Sequence, residues 1–106
     1  MNDLISVQAD ICKTFANPAR LKIIKLLCGS EMNAADLIKG VKLSKANLSQ
    51  HMAMLLNKGI AVSRKQGVNV YYALSDKKIS MACTLMQEVA VDSIKRKHKV
   101  LDTLNS

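Results

Sequence analysis

Aromatic residues are scarce in this 106-residue sequence, which contains no Trp, one Phe and two Tyr. The core must therefore be built from Leu, Ile, Val, Ala and the six Met residues, a composition that favours helices. With one Pro and four Gly, the chain has few positions at which a helix or strand would be interrupted. A hydrophobic fraction of 49% with 23% charged residues is typical of a folded protein, and the length suits one core. We therefore expect residues 1–106 to form a single domain.

Other absences exclude whole classes of protein. No apolar run approaches the roughly 18 residues of a membrane span, and an acid lies where a signal peptide would be basic, which predicts a cytoplasmic protein without a membrane partner. Cys12, Cys28 and Cys83 lack C-x-x-C spacing, which argues against a disulfide framework or a zinc ribbon. Without a local catalytic triad or a glycine-rich phosphate loop, we predict neither an enzyme nor a cofactor.

Capping signals mark two helices in the first half of the chain. Asn17 before Pro18 is typical of a helix start, and Gly29 can close that helix. Asn33, followed three residues later by an acid, resembles a capping box for a short helix that ends at Gly40. These two helices would precede the part of the chain that carries most of the chemistry.

A third helix and a hairpin follow. Ser44 is the predicted cap of the helix, and Gly59 can end it in a left-handed conformation. Apolar residues then alternate from Ile60 to Leu74 around a turn at Gly67, which predicts a two-stranded hairpin. Two helices joined by a tight turn and followed by a two-stranded wing form a winged helix-turn-helix, so the predicted fold is mainly α with a β-hairpin.

Both ends of the chain carry apolar residues at helical spacing. We expect helices at residues 3–15 and 77–103, the second capped by Asp76. The apolar stripes of these two helices would be exposed in a monomer, because the predicted core is too small to cover them. The sequence therefore predicts a homodimer formed through the first and last helices.

The net charge of +8 is distributed unevenly. Between Leu37 and Ser75 there is no Asp or Glu, although six Lys and Arg residues lie there. This block covers the helix-turn-helix and the wing, which predicts double-stranded DNA as the partner and, for a two-fold dimer, a palindromic operator. The predicted DNA-binding residues are Ser44, Lys45, Asn47, Ser49, Gln50 and His51 on the helix, with Arg64, Lys65, Gln66 and Asn69 on the hairpin. The alternative is a winged-helix protein-interaction module without specific DNA binding.

Four runs of the sequence carry a family resemblance. These runs extend from Phe15 to Ile24, from Leu43 to Met52, from Lys58 to Val62 and from Gly67 to Leu74. Through them, the sequence resembles the ArsR/SmtB family of winged-helix repressors over about residues 10–76. The resemblance implies a homodimer with the element order α-α-α-α-β-β-α. It also implies a repressor that leaves its operator when a metal ion or a reactive small molecule acts on it.

The metal-ligand patterns of the family are broken in this sequence. Metal-sensing members carry two cysteines early in the third helix, where this chain has Asn33 and Ala35. Members that bind zinc on the last helix place carboxylates and histidines at positions where Lys78, Val89 and Asp92 stand here. Because lysine and valine cannot replace imidazole as zinc ligands, we predict no metal site.

The three cysteines remain as candidate effector residues. Oxidants, persulfides or arsenite would act on Cys83 first, because it lies on a predicted dimerisation helix, with Cys12 as its preferred partner and Cys28 next. Cys12 and Cys83 equally fit buried, inert core positions, because both lie on apolar stripes. Exposure is expected for Cys28, at a helix end.

Overall fold

The computed structural model describes residues 3–105, which form five helices and three strands. The elements are α1 (Leu4–Phe15), α2 (Pro18–Leu27), β1 (Met32–Asn33), α3 (Ala34–Val41), α4 (Lys45–Asn57), β2 (Ala61–Gln66), β3 (Asn69–Leu74) and α5 (Lys77–Asn105). The winged helix-turn-helix predicted from the sequence is confirmed, with β2 and β3 as the wing. The terminal helices match the predicted ranges within two residues.

The start of α2 follows the sequence prediction, whereas its end does not. The Asn17 side chain accepts a hydrogen bond from the backbone N–H of Arg20 at 3.1 Å, and Pro18 occupies the first turn. At the other end, Cys28 is the C-cap in right-handed helical conformation, and its N–H donates to the Lys25 carbonyl. Closure by Gly29 was therefore wrong, since this cap needs no left-handed residue.

The turn between α3 and α4 depends on a residue that the sequence reasoning did not single out. The predicted end at Gly40 was wrong: α3 continues to Val41, and Lys42 takes the left-handed conformation at φ 57°. Gly40 lies inside the helix, where an added Cβ would be 2.6 Å from Cδ1 of Leu26. Glycine at this position leaves room for the end of the Leu26 side chain on α2. The predicted cap at Asn33 is confirmed, since its side chain accepts the Asp36 N–H at 2.8 Å.

The helix α4 and the wing have the predicted caps and turns. Ser44 accepts a hydrogen bond from the Asn47 N–H at 3.1 Å, and the left-handed conformation of Gly59 (φ 73°) is confirmed. The predicted turn at Gly67 is confirmed as well, and this glycine is also left-handed (φ 62°). The sheet is antiparallel in the order β1-β3-β2, so the wing has a third strand that was not predicted. That strand, Met32–Asn33, is too short to show an alternating pattern.

The buried core joins α2, α3, α4 and the base of the wing. Its largest fully buried side chains are Ile23, Ile24, Leu37, Met52 and Leu55. Ile60 and Ala61 extend the core into β2. This packing fixes the orientation of α4 relative to the rest of the domain, because one face of α4 is held from several sides.

The two terminal helices lie largely outside this core. Cys83 is the buried residue of α5, and Asp76 caps this helix by accepting the Lys78 N–H at 2.8 Å. Large apolar side chains remain exposed along both helices, among them Leu4 at 77%, Met86 at 66% and Leu104 at 74% exposure. The stripes expected from the sequence are therefore uncovered within one chain. Within residues 3–105, no helix has the length and hydropathy needed to cross a membrane.

The strained turn gives a stability prediction. We expect Lys42→Gly to stabilise the domain by up to about 1 kcal/mol, because a non-glycine residue in the left-handed region costs about 1–2 kcal/mol and the greater freedom of glycine in the unfolded chain offsets part of the gain. Lys39→Gly is the matched control: it lies within α3, where glycine costs about 1 kcal/mol. Chemical denaturation measures both, and destabilisation by Lys42→Gly would contradict the assignment.

Candidate nucleic-acid interface

The recognition surface is set by the burial pattern of α4. Leu48, Met52 and Leu55 are buried on the inner face of this helix. The opposite face carries exposed side chains at positions i, i+4, i+7 and i+11, namely Ala46, Gln50, Ala53 and Asn57. The helix therefore presents a continuous outer face along its whole length, in a fixed orientation.

Most of the residues predicted on α4 belong to this outer face or flank it. Lys45, Asn47, Ser49 and Gln50 are exposed, whereas His51 is half-buried beside the core face. The hydroxyl of Ser44 already accepts the hydrogen bond that caps the helix. The structure thus brings the predicted helix residues together at the cap and on the first two turns of α4.

Three outer-face residues were missed by the sequence reasoning. Ala46, Ala53 and Asn57 share a helical face with Gln50, and all of them are exposed. A prediction based on polar side chains alone covers only the first half of the helix. Helical spacing from Gln50 was the signal that would have found them. Small apolar side chains such as Ala also fit a DNA-reading face, because they can contact the thymine methyl group.

The amino-terminal end of α4 is electropositive. Its first turn contains no acid, Lys45 is its first residue, and the first turn of any helix directs unpaired backbone N–H groups outward. Lys39 and Lys42, on the preceding helix and turn, are exposed as well. By contrast, Lys58 at the far end of α4 donates to the Asp10 carboxylate of α1 at 2.6 Å. This cation is therefore already paired within the chain.

The wing holds its arginine in a network across the sheet. Arg64 makes a bidentate contact with Glu31 at 2.7 and 2.6 Å and donates to Gln66 at 2.8 Å. Its guanidinium also lies 4.4 Å from the ring centre of Tyr71, its partner on β3. The hydrogen bonds from Arg64 lower the pKa of Glu31, and the same pair raises the pKa of Arg64.

The other predicted wing residues are differently placed. Lys65 and Asn69 are exposed at the tip of the hairpin, while Gln66 is exposed but bonded to Arg64. Side chains alternate between the two faces of a strand, so Lys65 projects from the face opposite Arg64. In the free protein, Lys65 is therefore the wing cation available to an anion, and Arg64 is already paired.

The three cysteines occupy unlike environments. Cys83 is buried, and Cys12 and Cys28 are exposed. The burial expected for Cys12 was wrong, because its part of the α1 stripe is not covered within one chain. Partial burial raises the pKa of the Cys28 thiol, and Cys83 raises it further through its charge and a hydrogen-bonding interaction. Within one chain the structure thus brings Cys28, rather than the preferred Cys12, to Cys83.

Metal ligands are not clustered in the part of the chain that the structure describes. No group of three or more His, Cys, Asp or Glu side chains there is arranged to hold a metal ion. The cysteine pair and the surface of α4 and the wing are therefore the two chemically distinctive regions of the molecule.

Comparisons with known proteins agree on the class of this fold. Residues 17–63 match the model of the bacterial regulatory protein, arsR family. The transcriptional activator HlyU of Vibrio cholerae is 32% identical over 79 residues, which are 74% of this chain and 73% of HlyU. The transcriptional repressor PagR of Bacillus anthracis is 30% identical over 82 residues, which are 76% of this chain and 82% of PagR.

Solved structures agree as well. The crystal structure of Rv0081 from Mycobacterium tuberculosis superimposes with a TM-score of 0.84 at 26% identity, covering 92% of this chain and 98% of that one. The fold and the matched residues define a winged helix-turn-helix transcriptional regulator. Within that class, the chain belongs to the ArsR family.

The paired cysteines give a testable titration. In a Cys12→Ser background, the rate of Cys28 alkylation by iodoacetamide should rise with pH at a midpoint above the ordinary thiol value of about 8.5, because burial and Cys83 both favour the neutral thiol. Adding Cys83→Ala should lower that midpoint, since the contribution of Cys83 is removed while those of burial and of the Lys25 charge remain. Mass spectrometry of the modified protein measures both rates. Identical midpoints with and without Cys83 would show that the two thiols do not interact.

Proposed function

We propose that this protein is a dimeric repressor that binds a palindromic operator through α4 and the wing and acts in the cytoplasm. The observation that carries the proposal is the outer face of α4, which is exposed, free of acids and fixed in orientation by three buried side chains. The name of PagR, a transcriptional repressor, supports repression, while the name of HlyU shows that relatives also include an activator.

The α4 side chains suit the major groove of DNA. An α-helix fits this groove, and the amides of Asn47 and Gln50 can each make a bidentate contact with the edge of adenine. Lys45 and the amino-terminal N–H groups of α4 lie at the same end of the helix and suit phosphate oxygens. Base reading is thus assigned to Asn47 and Gln50, and positioning on the backbone to Lys45 and Lys65.

This division of roles predicts two kinds of loss. Replacing Asn47 or Gln50 with Ala should reduce discrimination between operator and random DNA by about 1–3 kcal/mol, because a bidentate base contact is lost. Lys65→Ala should weaken binding to every sequence and flatten the salt dependence by about one unit per phosphate contact. Fluorescence anisotropy at several salt concentrations measures both, with the exposed α2 variant Lys22→Ala as the charge-matched control.

The outcomes separate the proposal from its alternative. Equal losses on operator and random DNA for the Asn47 and Gln50 variants would remove the base-reading role from α4. If the parent protein does not bind DNA from the region upstream of its own gene, a protein-interaction module becomes the better interpretation of the basic surface.

The Arg64 network adds a specific expectation for the wing. Arg64 can reach a phosphate only by leaving Glu31, so the ion pair competes with DNA for the guanidinium. Glu31→Gln weakens that competitor. We expect tighter binding to all DNA and a salt slope that is steeper by about one unit for each Arg64 that gains a phosphate. The control is Asp102→Asn, the same charge change near the end of α5, which should leave the salt slope of DNA binding unaltered. If the Glu31→Gln variant also has an unaltered slope, Arg64 does not leave the sheet to contact a phosphate.

The dimer is proposed from the uncovered apolar stripes of α1 and α5. A second copy is the partner that can bury both stripes in one symmetric interface. Two-fold symmetry would then place two α4 helices on two operator half-sites about 34 Å apart, one helical turn of DNA. Footprinting that reveals a site without two-fold symmetry would contradict this arrangement.

The effector is proposed to act through the thiols. Cys28 caps α2, which forms part of the core under α4, and Cys83 lies on α5, so the pair connects the recognition half of the domain with a dimerisation helix. Oxidation would join the two sulfurs in a disulfide, with transfer of two electrons to the oxidant and release of two protons. A persulfide would first transfer a sulfane sulfur to one thiolate. Arsenite would instead bind both reduced thiolates. The raised pKa of Cys28 lowers its thiolate fraction at neutral pH and so slows its reaction as a nucleophile.

Cysteine replacement tests this route. We expect peroxide, polysulfide or arsenite to release the parent protein from its operator and to lose that effect when Cys28 or Cys83 is replaced with Ser. Cys12→Ser is the matched control and should respond as the parent does. A triple variant that still responds would place the signal elsewhere, and a parent that responds to none of the three compounds would indicate repression without a thiol signal.

A further inference from the structure

Lys42 holds the turn between α3 and α4 in a conformation that suits glycine better than lysine. Its φ of 57° lies in the left-handed region, and among residues 3–105 it is the one non-glycine residue with a positive φ. In that region the β-carbon comes too close to the following carbonyl oxygen, a clash that glycine avoids and that the short polar side chains of Asn and Asp partly offset. Lysine has neither property. Local backbone preference therefore disfavours the residue that stands at this position.

The side chain of Lys42 makes no polar contact within the chain. It is exposed, and in the part of the chain that the structure describes its ammonium group takes part in no ion pair or hydrogen bond. The backbone instead closes the turn, since the Lys42 N–H donates to the Ile38 carbonyl at 2.9 Å. Glycine would make the same bond. The strained backbone is therefore not offset by any polar contact of the lysine side chain with residues 3–105.

The residues on either side of Lys42 anchor the turn. Val41 is buried, and Leu43 is partly buried against the core. Because both neighbours are held by close packing, the backbone of Lys42 cannot move far without disturbing the core. A partner at this surface would therefore meet a cation whose backbone is already in place.

This cation lies beside the helix that is proposed to read DNA. Lys42 precedes Ser44, the cap of α4, by two residues, and there is no Asp or Glu between Leu37 and Ser75. In helix-turn-helix proteins the second helix enters the major groove and the first helix crosses the phosphate backbone. The turn that joins them is then next to the phosphates at the edge of the groove. Contacts to phosphate fix the position of a protein on the duplex without reading its sequence.

We propose that Lys42 contacts a DNA phosphate at the edge of the major groove, and that this contact accounts for a lysine at a strained position. The role rests on the proposed function and adds to α4 and the wing a contact made by the turn. Stability and DNA binding then have opposite requirements at one residue. Glycine would fit the backbone better, whereas lysine fits the phosphate better.

Three substitutions of Lys42 separate its charge from its backbone conformation. Lys42→Gly removes both the charge and the strain, Lys42→Asn removes the charge with a side chain that tolerates the left-handed region, and Lys42→Arg keeps both. We expect Lys42→Gly and Lys42→Asn to weaken binding to operator and random DNA alike. For each lost contact, the fall in affinity between about 50 and 200 mM salt should become roughly three- to fourfold smaller, because one phosphate contributes about −0.9 to the salt slope. Lys42→Arg should bind as the parent does.

Fluorescence anisotropy measures DNA binding, and denaturation in urea measures the stability of each variant. Lys22→Ala, at an exposed position of α2, removes one positive charge and should leave the salt slope of the parent unaltered. A Lys42→Gly variant that is more stable than the parent and binds DNA more weakly would support the proposal, because a merely structural lysine would not couple these two changes in opposite directions.

The remaining outcomes overturn the proposal in distinguishable ways. If the parent binds DNA and the Gly and Asn variants keep its affinity and salt slope, Lys42 contacts no phosphate and the proposed function stands. If Lys42→Arg loses as much affinity as Lys42→Gly, the effect lies in the conformation of the turn and not in a phosphate contact. If the parent binds no DNA, both the role of Lys42 and the proposed function fail.

Discussion

The burial of one face of α4 is the constraint on which the rest of the molecule depends. Leu48, Met52 and Leu55 hold this helix against α2, α3 and the base of the wing, and the opposite face is exposed as a result. Because protein cores are close-packed, the helix cannot rotate about its axis without losing these contacts. The positions of the buried side chains therefore determine which side chains of α4 face outward. The outer face is already in a fixed orientation before a partner binds.

Charge in this chain is divided between residues that hold the structure and residues that remain available. Arg64 and Lys58 are paired with Glu31 and Asp10, respectively, and these pairs tie the wing to the chain before β1 and the end of α4 to α1. Among the residues that the structure describes, Lys45 and Lys65 take part in no ion pair. The positive charge available on the surface is consequently smaller than the acid-free block from Leu37 to Ser75 suggests, because the acids Asp10 and Glu31 outside the block pair with two of its cations.

The sequence predicts features that depend on nearby residues and misses those that depend on tertiary contact. Caps such as Asn17 and Ser44 act within one helical turn, so their side chains identify them directly. The position of Gly40 follows instead from Leu26 on another helix, which no local pattern records. The same holds for the candidate sites: the polar residues of α4 could be predicted from spacing, but the contacts of Arg64 with Glu31 and of Cys28 with Cys83 join residues far apart in the chain.

The attachment of α5 near one end gives this helix the mechanics of a lever. Cys83 is its buried residue, and the 22 residues from there to Asn105 span about 33 Å at 1.5 Å per residue. A tilt of about 5° at the buried end would displace the far end by about 3 Å, more than half of one helical pitch. A small change in packing around Cys83 would thus produce a larger displacement at the far end of α5.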